Sequence, residues 1–78
     1  MALSAQEIVE MKTLTKASEI IVKAESSQPL TREAHVAVTM VRFLANEYHQ
    51  PSRFSGQFKA ARLRHWINRA EREIGGAA

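Results

Sequence analysis

The residues best suited to act on another molecule lie close together in the second half of the chain. From Pro51 to Arg72 there are six basic residues, Arg53, Lys59, Arg62, Arg64, Arg69 and Arg72, and a single acid, Glu71. A guanidinium group pairs bidentately with a phosphate or a carboxylate, so this spacing offers recognition of an anionic surface rather than bond making. On a helix it gathers Arg62, Arg69 and Arg72, with His65 among them, on the side opposite Leu63 and Ile67. Lys59 sits nearer the Trp66 edge and reaches the same face with its long stem. Arg53 and Arg64 stand in support.

Three readings of this stripe are open. One is the solvated outer face of an amphipathic helix, with Glu73 pairing Arg69. Another is a row of phosphate contacts along nucleic acid, whose strength would fall steeply with salt. The last is a docking face for an acidic protein surface, where charge raises the on-rate and Arg or Trp anchors the contact. Phe54, Phe58 and Trp66 are interleaved with the basic residues. Stacking on exposed bases is one use for them. The reading preferred is core or core edge, because the chain has few large aromatics with which to fill a core.

The other reactive residue types do not assemble into a site. The chain has no cysteine, which excludes disulfides, thiolate metal sites and a cysteine nucleophile. His35 and His49 share a polar line of one helix but stand about four turns apart, too far to share a metal. No His-x-x-x-His pair occurs, and Glu47 lies off the face of His49. All eight acids are glutamates, and none completes a triad with a serine and a histidine. Ser4, Ser27 and Ser55 fall where caps and linkers are expected. Gly56, Gly75 and Gly76 have no strand–loop–helix setting for a phosphate loop. The expectation is a protein that is no enzyme and takes no cofactor and no metal.

Three helices must position the basic stripe. Ser4-Ala5-Gln6-Glu7 reads as a capping box, with Leu3 and Ile8 placed as a hydrophobic staple. The helix that follows carries Ile8, Met11, Leu14, Ile21 and Val22 as one apolar stripe, with Ser18 as a small gap, and stops before Pro29. Thr31 is the expected cap of the second helix, with Glu33 in its first turn. That helix is apolar over most of its circumference. Most of its polar residues, Arg32, His35, Thr39, Arg42, Asn46 and His49, follow one narrow line. Two partner helices could nearly cover it. Alternatively Val36, Val38, Phe43 and Ala45 form a self-association surface. Gln50 to Gly56 is a loop, with Ser55 as the next cap and Ser52 its rival. Ala60, Leu63, Ile67, Ala70 and Ile74 then repeat at three-four spacing, and Gly75-Gly76 supplies a left-handed cap.

The predicted fold is all-α: a single domain over residues 1–78, a small three-helix bundle with helices at about 4–26, 31–49 and 55–74, neighbours antiparallel. The predicted core is Ile8, Met11, Leu14, Ile21, Val22, Ala37, Met40, Val41, Leu44, Leu63, Ile67, Ala70 and Ile74. Nothing alternates with a strand period. The loop before the third helix is too long for a helix-turn-helix, so reading of base sequence is less expected than backbone contact.

At 78 residues one small domain is the limit, and the net charge of +3 is unevenly spread. Residues 1–39 carry a net of −1 and residues 40–78 a net of +4. No secretory leader, apolar span or lipidation motif is seen, which points to a cytoplasmic protein without membrane contact. The expected function is stoichiometric, non-catalytic binding of a macromolecule, as an inhibitor, adaptor or regulator. The expected partner is a protein with an acidic surface, with nucleic acid as the alternative and a homodimer in view. Small helical chains of this kind are common among phages and mobile elements, an association of class only.

Overall fold

A computed structural model describes residues 2–75. Three helices follow one another: α1 (Ala5–Ser26), α2 (Arg32–Tyr48) and α3 (Gly56–Gly75). No strand occurs among the described residues. The all-α three-helix bundle expected from the sequence is the observed architecture.

Local polar chemistry sets each helix end. At α1 the Glu7 amide donates to Ser4 Oγ at 3.1 Å and the Ser4 amide donates to Glu7 Oε1 at 3.3 Å, closing the capping box. At its other end three side chains donate to carbonyls of the last turns. Ser26 reaches Val22 at 3.4 Å, Ser27 reaches Lys23 at 2.8 Å, and Gln28 reaches Ala24 at 3.2 Å. These are carbonyls near the helix end, where in-helix donors run out. Thr31 Oγ1 accepts the Ala34 amide at 3.1 Å to start α2. Ser55 Oγ accepts the Phe58 amide at 3.1 Å to start α3, while its rival Ser52 accepts the Phe54 amide inside the loop. Gly75 remains helical and no described glycine has positive φ. A left-handed cap at Gly76 lies outside the described residues.

Two side chains of α1 tie that helix to both ends of α3. A methyl group on Gly56 would come within 2.5 Å of Glu10 Oε1, so the Glu10 carboxylate sits against the first turn of α3. A methyl group on Gly75 would lie 3.2 Å from Lys23 Nζ. A negative charge thus stands at the amino end of α3 and a positive charge at its carboxyl end, each favourable to the helix dipole. The same pair of contacts sets α1 parallel to α3, with α2 running against both.

The core is built from Ala17, Ile20 and Ala24 of α1, Ala37, Val38, Val41 and Leu44 of α2, and Leu63, Ile67 and Ala70 of α3. Leu14, Ile21, Leu30, Met40, Ala45, Trp66 and Ile74 pack against its margin. Three expected core residues are not in it. Ile8, Met11 and Val22 are exposed, Met11 at 55% and Val22 at 62% of full accessibility. The face of α1 that turns inward is instead Thr13, Ala17, Ile20 and Ala24. Small side chains there let helix axes approach toward the lower end of the usual packing range of about 8–10 Å. Thr13 is compatible with burial because its hydroxyl donates to the Val9 carbonyl at 2.8 Å.

On α2 the two neighbours cover Ala34, Ala37, Val38, Val41 and Leu44. Of the four residues expected to form a self-association surface there, Val38 is corrected. Val38 is 4% exposed and so belongs to the core, while Ala45 is half-buried against its margin. Val36 and Phe43 stay exposed.

Candidate partner-binding face

The buried seam of α3, Ala60, Leu63, Ile67 and Ala70, fixes what its other side can do. With 3.6 residues per turn, positions 62, 65, 69 and 72 fall on the far side from that seam. Arg62 is half-buried at the α2 edge, and His65, Arg69 and Arg72 are exposed. These four residues therefore share the side that their spacing predicted.

Aromatic rings organise the guanidinium groups. The Arg62 guanidinium carbon lies 5.9 Å from the Phe58 ring centroid, and that of Arg69 lies 5.9 Å from the Trp66 centroid. Arg53 sits 5.6 Å from the Phe54 centroid. Such contacts hold a cation over the ring quadrupole and restrict a long side chain that would otherwise be free. Phe54 and Phe58 stack on each other with centroids 5.0 Å apart and planes at 27°. His65 meets Trp66 edge-on at 5.5 Å.

Phe54 and Phe58 correct the reading of the aromatics. They are 41% and 46% exposed, not core, whereas Trp66 is half-buried against the core margin. The sequence held the signal for Phe58. It stands four residues before Arg62, on the basic line, and off the Ala60–Leu63–Ile67 seam. Phe54 lies before the helix, where no periodicity applies.

The basic residues divide by what they already touch. Lys59 points away from the face: its ammonium donates to the Tyr48 carbonyl at 3.4 Å and the Gln50 carbonyl at 3.0 Å, closing the end of α2. It also lies 5.8 Å from the Tyr48 centroid. Arg64 lies on the opposite flank of α3, lining a groove against α1 with Val9, Lys12 and Lys16. Arg62 is 3.9 Å from Glu47 of α2, a residue the sequence could not connect to it because the contact crosses two helices. Glu71, the acid inside the basic stretch, pairs at 3.4 Å with Lys16 of α1. The expected Arg69–Glu73 pair does not form. Arg53, Arg69 and Arg72 take no ion-pair partner among the described residues. What remains accessible is Arg62, His65, Arg69 and Arg72, with Arg53, Phe54 and Phe58 at one end.

Among the described residues no group of three or more His, Asp or Glu side chains is placed to hold a metal ion. No helix among them is long and apolar enough to cross a membrane. No family model, no curated protein and no solved structure matches the chain.

Proposed function

We propose that this protein is a non-catalytic binding module that engages an acidic surface of a protein partner through the outer face of α3. The observation that carries this reading is the row Arg62, His65, Arg69 and Arg72 on one rigid helix. Two of its guanidinium groups lie over aromatic rings, and Arg69 and Arg72 have no carboxylate partner among the described residues. Arg and aromatic residues side by side are the composition of interface anchors. Rings that hold the guanidinium groups in place reduce the ordering cost on association.

A second reading has its own support. Phe54 and Phe58 are exposed and stacked beside Arg53 and Arg62, the pattern with which single-stranded nucleic acid is held by base stacking and phosphate pairing.

One set of measurements separates them. The chain and its Arg62→Glu/Arg69→Glu variant are used to capture protein from the native host, and both are titrated with a single-stranded oligonucleotide at two salt concentrations. A stoichiometric protein partner retained by the native chain and lost by at least about tenfold in the variant supports the first reading. Oligonucleotide binding that collapses with salt and with the variant supports the second. Capture and titration that do not distinguish the two chains overturn the assignment of this face. Far-ultraviolet circular dichroism should be the same for both, because neither arginine is in the core.

A further inference from the structure

We propose that the outward face of α1 binds a second copy of this chain, the two α1 helices packing antiparallel about a two-fold axis. Ile8, Met11, Thr15, Ser18 and Val22 recur at spacings of three and four, the period of a two-helix seam. They lie on the side of α1 opposite its buried residues, Thr13, Ala17, Ile20 and Ala24. A shallow apolar trough follows the strip. Ile8, Met11 and Thr15 line one part, Val22 and Ser18 the next, and Lys12 and Glu19 stand at its rim.

Charge and size complementarity identify the occupant as the same helix reversed. Setting Thr15 against Ser18 of the copy places Met11 against Val22, Lys12 against Glu19, Leu14 against Ile21, and Ile8 against Glu25, whose carboxylate lies 3.7 Å from Arg42. The two-fold axis makes every one of these pairs twice. Opposite charges then face each other along one edge of the seam and half-buried apolar side chains along the other. Thr15 and Ser18 at the centre are small enough for close approach. A parallel arrangement fits less well. It sets Leu14 against Glu19 and offers Lys12 only Glu7, whose carboxylate already accepts the Ser4 amide. Ile8, Met11 and Val22 are exposed on either side of Thr15 and Ser18. From Ile8 to Val22 the seam is about 21 Å long and about 10 Å wide. That is well below a standard interface of about 800 Å² per partner, so the association is expected to be weak and to need high protein concentration. The basic face of α3 belongs to a different helix and stays free, so a dimer would carry two of them.

Sedimentation equilibrium from low micromolar to millimolar concentration should show the mass rising from 8.8 kDa toward twice that value. Lys12→Glu and Glu19→Lys should each weaken association about five- to tenfold, and the double variant should restore it. Because the chain has no cysteine, the register can be read directly with a short bismaleimide. A mixture of Met11→Cys and Val22→Cys chains should cross-link between the two variants, while neither should cross-link to itself. A monomer at every concentration overturns the proposal. So does self-cross-linking of the Met11→Cys chain, which marks a parallel pair, or a dimer indifferent to Lys12→Glu.

Discussion

α1 and α3 are both long, both capped by a serine and both well supplied with apolar residues, yet they distribute them differently. In α3 the apolar side chains fall on one seam and the arginines on the side opposite. In α1 there are two apolar faces. The one turned inward carries the smaller side chains, Thr13, Ala17 and Ala24 around Ile20, and the one turned outward carries Ile8, Met11 and Val22. An apolar residue on a helix therefore names a candidate for burial, and its neighbours decide. Where a helix offers two such faces, the bundle can take the one that lets backbones approach closely.

The sharpest way to break this comparison is to truncate a large side chain on each helix. Leu63→Ala should cost about 2–5 kcal/mol, because Leu63 is fully buried and its loss leaves a cavity. Met11→Ala should stay within about 0.5 kcal/mol in dilute solution, as surface changes usually do. Urea denaturation at low protein concentration measures both, and a large loss for Met11→Ala would place it in the core after all.

Enlarging small residues tests the same point from the other side. Ala17→Leu should destabilise by about 1–3 kcal/mol, since α1 turns its tightest face inward there. Ser18→Leu, one residue away on the open side, should not destabilise the monomer. If Ala17→Leu were neutral in a thermal melt, the close approach inferred for that face would be wrong.

The helix starts should behave alike despite the different faces. Ser55→Ala and Ser4→Ala each remove a hydroxyl acceptor from the first turn, at a cost of about 1 kcal/mol. Glu10→Gln should cost less, about 0.3–1 kcal/mol, by removing the charge set against the amino end of α3. Chemical denaturation of the three variants gives the ranking. A Glu10→Gln cost above that of Ser55→Ala would mean that the carboxylate holds α1 to α3 by more than its charge.

Residue by residue, the fold was more legible than the core. The caps at Ser4, Thr31 and Ser55 depend on side chains within three residues of the amides they accept, so sequence alone places them. The α3 seam was also legible, because only one face of that helix is apolar. The inward face of α1 was not, since periodicity weighs Met11 and Val22 above Ala17 and Ala24. Within the binding face the helical row was legible from spacing. The diversion of Lys59 to the end of α2, of Arg64 to the α1 groove and of Glu47 to Arg62 was not, because each contact crosses between helices.

Local rules set by the sequence itself were enough for three capped helices, the loops between them and an arginine row on the outer side of the third. These features depend on hydrogen bonds and side-chain directions within a few residues. Tertiary packing decided which face of α1 is buried, which aromatics remain in solvent and which basic residues are already engaged. Those outcomes depend on how closely helices can approach and on charges brought together from distant positions, and a periodicity read along one helix contains neither.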